Sequence, residues 1–235
     1  MIKNNSATKV IIFDSSSLIN FTMNGLLEEF GELKKRFDGK FIITKEVSAE
    51  VIDKPMTIPR FKLEALKIKK LIDEKIIELP SAIGIDDREV TKKTMEVKDK
   101  ANNMFFGRGN AIQIIHSGEA SCLALSILLN EKKIDNVLSV DERTLRMLGE
   151  KPENLSIFLG RKLHADIQMH DENLSYFQNF RFIRSTELMY VAYKKGIVKL
   201  KNHNVLDAIL YALKLNGCSI SDEEISEMKR MNNNK

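Results

Sequence analysis

Four carboxylates fall where an α/β chain puts its chemistry. Asp14 ends the apolar run VIIF, Glu50 lies in a helical stretch just beyond a second run at Phe41 to Ile43, Glu119 opens an apolar helical stripe, and Asp141 follows NVLSV directly. In open α/β sheets ligands bind in the crevice outside the carboxyl ends of the strands. Several carboxylates sharing that crevice repel one another and stay ionised only around a cation. Oxygen donors without His or Cys select a hard divalent ion, Mg²⁺ or Mn²⁺. Such ions, singly or as a pair, activate a water for in-line attack on a phosphodiester and stabilise the leaving oxygen. Ser16 and Ser139, each two residues from one of the aspartates, stand ready to orient ligands or waters. Glu46 and Glu50 are four residues apart and share a helix face, so both remain open as the second donor.

These positions need particular elements beneath them. VIIF runs without alternation, the pattern of a strand buried on both faces of a parallel sheet. Further strands are expected at Phe41 to Ile43, Lys75 to Leu79, Asn136 to Val140 and Phe180 to Ile183. Helices fill the intervals: Ser15 to Phe21, then Leu26 to Phe37, one capped by Thr44, a longer one from Phe61 to Ile72, and Val205 to Leu215. Ser117, Thr186 and Ser221 are the expected caps of three more, and Met231 to Lys235 is expected to fray. Asp86 to Asn103 reads as a surface helix or a loop with a basic bias from Lys92, Lys93, Lys98, Lys100 and Arg108. Strands alternating with helices predict a parallel α/β sheet in a single domain spanning 1–235.

Composition narrows the function classes. The excess of 37 basic over 33 acidic residues is too small for a dedicated nucleic-acid coat. The two cysteines, Cys122 and Cys218, sit within or just after apolar helical patterns and read as reduced, buried thiols. No run approaches the roughly 18 apolar residues of a membrane span, and MIKNNSATK lacks a signal-peptide core, so a cytoplasmic protein without a membrane partner is expected. The GRGN at Gly107 to Asn110 lacks the third glycine of a dinucleotide loop, and no Walker lysine is present. His164 and His170, six apart, match neither HExxH nor a zinc pair.

The chain resembles the PIN-domain nucleases, the superfamily that includes toxin ribonucleases of toxin-antitoxin pairs. Asp14-Ser15-Ser16 with Leu18 is similar to the opening family motif, Thr44, Val47 and Glu50 to the second, Gly118-Glu119-Ala120 to the third, and Ser139-Val140-Asp141 to the fourth. The resemblance implies a three-layer α/β/α fold with a central parallel sheet. It also implies an Mg²⁺- or Mn²⁺-dependent endoribonuclease with Asp14, Glu50, Glu119 and Asp141 as catalytic metal ligands. Ser16, Ser139 and Glu142, the last standing where a second Asp is frequent, would support them. An RNA substrate, an antitoxin-like protein partner and a homodimer are the partners implied. Segments 81–110 and 152–179 depart from the family as insertions, and with the basic stretch at Lys92 to Arg108 they motivate a second expectation, a PIN-like RNA-binding or protein-interaction module. A haloacid-dehalogenase-type phosphatase would carry a second Asp two residues after the first, where this chain has Ser16.

Overall fold

A computed structural model describes residues 9–233. The chain opens on β1 (Lys9–Phe13), turns at Asp14 into α1 (Ser15–Met23), and passes into α2 (Leu27–Arg36) and β2 (Gly39–Ile42). A continuous bent helix follows, in which α3 (Lys45–Ser48) and α4 (Lys54–Met56) are joined by a π-helical turn over Ala49–Asp53. Next come α5 (Lys62–Asp73), α6 (Asp87–Asn102), the short strands β3 (Phe105–Gly107) and β4 (Asn110–Ala111), and α7 (Ser117–Glu131). The chain continues through β5 (Asn136–Ser139), α8 (Arg143–Glu150), α9 (Pro152–Leu163), β6 (Ile167–Met169), β7 (Phe182–Ile183), α10 (Ser185–Lys194), α11 (Val205–Leu215) and α12 (Asp222–Asn233). The fraying expected at Met231 to Lys235 falls partly on the last helix and partly on 234–235, which lie outside the described residues.

Four strands form a wholly parallel sheet in the order β2-β1-β5-β7, flanked by helices. The fold is therefore mixed α/β, as the alternation of elements requires. Val10 to Phe13 are all buried, so β1 is covered on both faces. Phe13 meets Phe30 and Phe41 at centroid distances of 5.0 and 4.8 Å, which seats the end of β1 against α2 and β2. The strand expected over Lys75 to Leu79 contributes only one parallel bridge, Glu78 beside Ile42. Lys75 turns back off α5 with φ +55° and Pro80 has no N–H to extend a ladder, so the pairing stops there.

The segments expected as separate insertions pair with each other. β3 and β4 come from the first and β6 from the second, and they form an antiparallel sheet in the order β4-β3-β6. Asp86 to Asn103 is a true helix, capped by the Asp86 carboxylate on Arg88 N at 2.8 Å and packed along α7. Two expected caps are displaced: the residue before α7 is His116 and not Ser117, and the residue before α10 is Arg184 and not Thr186. In both cases a glutamate three residues on, Glu119 or Glu187, accepts the backbone N–H of the cap residue at 2.7 or 2.5 Å, so the acid secures the start of the helix. Thr44 and Ser221 cap as expected, accepting from Val47 N and Glu224 N at 3.2 Å each. Both cysteines are free and buried. Among the described residues no helix is long and apolar enough to cross a membrane.

Candidate active site at the carboxyl edge of the sheet

Asp14 terminates β1 and caps α1. Its Oδ2 accepts from Ser16 N at 3.0 Å and Ser16 Oγ at 2.5 Å. Ser17 Oγ ties the same corner to β5 by donating to Asp14 O at 3.1 Å and Ser139 O at 3.0 Å. The small hydroxyl residues after Asp14 thus lash together the ends of the two central strands. One oxygen remains outside this arrangement: Asp14 Oδ1 is buried and has no hydrogen-bond partner among the described residues. Burial is the main influence on this carboxyl and raises its pKa; the Ser16 bonds pull it down and the charge of Glu50 pushes it up again.

Glu50 and Glu119 approach from the other end of the crevice. Glu50 sits in the π turn, a local irregularity common at functional sites. Its Oε1 accepts from Gly118 N at 3.2 Å, so it occupies the N-terminus of the 15-residue α7, where the helix dipole favours an anion. A Cβ on residue 118 would lie 2.4 Å from Glu50 Oε2, which is why glycine stands there. Glu46, the competing donor, accepts instead from Thr91 Oγ1 on α6 at 3.3 Å. Glu119 Oε2 takes His116 N at 2.7 Å. Burial first, then the charges of Asp14, Glu142 and Glu50, push its carboxyl up to about 8.

That shift has a sign. The unfolded chain loses the Glu119 proton near the ordinary value of 4.5, the folded chain only near 8, so rising pH favours unfolding over that interval. This group's share of stability is expected to fall between those two values with a limiting slope of about 1.4 kcal/mol per pH unit, and to level off above. Urea denaturation across the interval checks it: Glu119→Gln should flatten the dependence, and equal slopes in parent and variant would overturn the assignment.

Asp141 stands apart. Its Oδ1 accepts from Ser185 N at 2.8 Å, and its Oδ2 from Ser185 Oγ at 2.6 Å and Asn20 Nδ2 at 2.7 Å. Its backbone N–H bonds Ser16 Oγ at 3.1 Å and its carbonyl takes Ser219 N at 2.9 Å. The register explains this divergence from the sequence expectation. Phe13 pairs with Ser139, so Asp14 lies level with Val140 and Asp141 is one residue farther along. Side chains alternate between sheet faces, so the two aspartates leave the edge on opposite sides. Asp14 joins the α7 side, and Asp141 joins α1 and α10. Glu142, and not Asp141, joins Asp14 and Glu50 in adding charge at Glu119, and its Oε2 also caps α8 by accepting from Leu145 N at 2.9 Å.

Of the supporting residues, Ser16 bridges Asp14 to the backbone of Asp141. Among the described residues Ser139 Oγ is buried without a partner, and only its carbonyl takes part in the edge. Asn20 and Ser185 were not singled out by sequence reasoning. The available signal was polar Asn20 between the apolar residues Ile19 and Phe21. Among the described residues no three His, Cys, Asp or Glu side chains gather closely enough to hold one ion. Glu50 and Glu119 each rest on a helix N–H instead. The donor chemistry at this edge is all oxygen, of the kind a hard cation takes, with Asp14 Oδ1 orphaned among the described residues.

Fold and edge together define the class, a mixed α/β protein with acidic side chains at the carboxyl ends of a parallel sheet. Compared with known proteins, no family model, curated protein or solved structure matches the chain.

Proposed function

We propose that the chain is an Mg²⁺- or Mn²⁺-dependent endoribonuclease of PIN-like architecture, with Asp14 as the anchor for the ion and Glu50 and Glu119 as the neighbouring acids whose charge it would offset. The observation that carries this reading is Asp14, a buried carboxylate held by one oxygen on Ser16 while the other has no partner, beside two further acids. A positive charge there would relieve the burial and the mutual repulsion that raise both Asp14 and Glu119. When bound, the ion supplies a water of lowered pKa and neutralises charge on the phosphodiester. Ser16 fixes the Asp14 carboxylate, Gly118 makes room for Glu50, and Asp141 braces the edge from behind by joining α1 to α10. The choice of RNA rests on the motif resemblance.

Calorimetric titration with Mn²⁺ tests the reading directly. The parent should show saturable binding that Glu50→Gln weakens, with metal-dependent cleavage of generic RNA following the same order. A parent that binds no divalent ion would overturn it. The second reading, a nucleic-acid-binding module without hydrolysis, would then stand, and what favours it is that no three acids gather within one ion's reach among the described residues.

A further inference from the structure

The antiparallel sheet built by β4, β3 and β6 has a core face and an open face. Phe105 is fully buried, and Gly107 faces Ile112 and Ile167, whose side chains a Cβ there would meet at 3.2 and 3.3 Å. Phe106 therefore points the other way, opposite Gln168 on β6. Its ring stacks on His170 with centroids 4.5 Å apart and planes 26° from parallel. Arg108 lies two residues beyond Phe106, and the C-terminal end of α9 adds Arg161 and His164 across a groove of about 790 Å³. Asp166 also lines that groove, but among the described residues neither guanidinium is ion-paired.

The turn that presents Arg108 has a further peculiarity. Arg108 and Gly109 are the central residues of a two-residue hairpin, with φ +51° and +80°. Positive φ at both positions favours Asn or Asp before Gly, and a bulky L residue at the first is disfavoured. Turn geometry by itself thus gives no reason for an arginine here. Its guanidinium reaches back across the groove to His164 O at 3.4 Å.

We propose that this face binds a single-stranded segment of nucleic acid, with a base added to the Phe106–His170 ring stack and phosphates on Arg108 and Arg161. Aromatic faces flanked by unpaired guanidinium groups are what such strands require. The six residue-to-residue steps from Ala111 to Ser117 span at most about 21 Å, so the platform lies within a short strand's reach of the start of α7 and the acidic edge. That the strand is RNA rests on the proposed nuclease reading; the binding surface does not.

The test is fluorescence anisotropy of a short labelled oligouridylate with the full-length protein in chelator, where metal-dependent cleavage is silent. Arg108→Asn suits the turn better than arginine, so it should melt at or above the parent temperature. Combined with Arg161→Gln it should weaken binding and reduce the slope of log K against log salt by about 1.4, from roughly 0.7 for each of two lost phosphate contacts. Phe106→Leu should weaken binding roughly tenfold, the loss of one base–aromatic stack. Unchanged affinity and salt slope in folded variants would overturn the platform, as would equally tight, Phe106-independent binding of a duplex. The two readings fail separately. Metal-dependent cleavage by a parent whose arginine variants bind normally sinks the platform alone, whereas lost binding in those variants with no cleavage by the parent sinks hydrolysis alone.

Discussion

Replacing Asp14 by asparagine is expected to abolish divalent-dependent RNA cleavage while leaving the fold as stable as the parent's or more so. The activity side follows from charge. Asp14 is the member of the acidic set with a buried oxygen that has no partner among the described residues, and an amide supplies neither the charge nor the second anionic donor. Loss of a ligand that contributes several kcal/mol at the transition state corresponds to a fall of about a hundredfold to a thousandfold or more. The stability side follows from capping. Asparagine is as good an N-cap as aspartate, and its oxygen can keep the bonds from Ser16 N and Oγ. The substitution also removes a buried group whose ionised form is disfavoured by burial and by Glu50. Cleavage assays and thermal melting read the two effects independently. A variant that cuts RNA at the parental rate would remove Asp14 from the site altogether.

Asp141→Asn should show the reverse pattern, a large loss of stability with divalent binding retained. Three donors converge on this carboxylate, Ser185 N, Ser185 Oγ and Asn20 Nδ2, at 2.8, 2.6 and 2.7 Å. An amide must turn its NH₂ toward one of them and leave buried donors facing each other. Breaking one partner of a buried network of this kind costs about 2–4 kcal/mol. In a chain of this size that lowers the melting temperature by roughly 5–15 °C. Mn²⁺ titration well below the transition should still saturate. If the variant melts with the parent but neither binds metal nor cuts RNA, Asp141 is a ligand and its bracing role is secondary.

The contrast between the two aspartates shows where sequence reasoning stops. Both follow apolar strands, both are 1% exposed, and both lie at the same edge. Legible in the residues were the elements themselves: β1 from its unbroken apolar run, the Thr44 cap, α11 at Val205–Leu215, and Glu119 in the first turn of its helix. Those signals are local, since burial pattern and capping chemistry act within a few residues. Harder to read were the strand at Lys75 to Leu79, which shrank to one bridge, and the pairing of β3 with β6. Each depends on partners about 35 or more residues away in the chain, and no local pattern reports such a partner.

The sequence by itself determined that several carboxylates would arrive at strand ends and helix starts, and that the sheet carrying them would be parallel. Tertiary structure alone decided which of them face one another. The alignment of Phe13 with Ser139 offsets Asp141 from Asp14 by a single residue, and in a pleated sheet one residue is the difference between two faces. Asp141 is partnered by Asn20 and Ser185, while among the described residues Asp14 Oδ1 has no partner and Glu142 adds to the charge at Glu119.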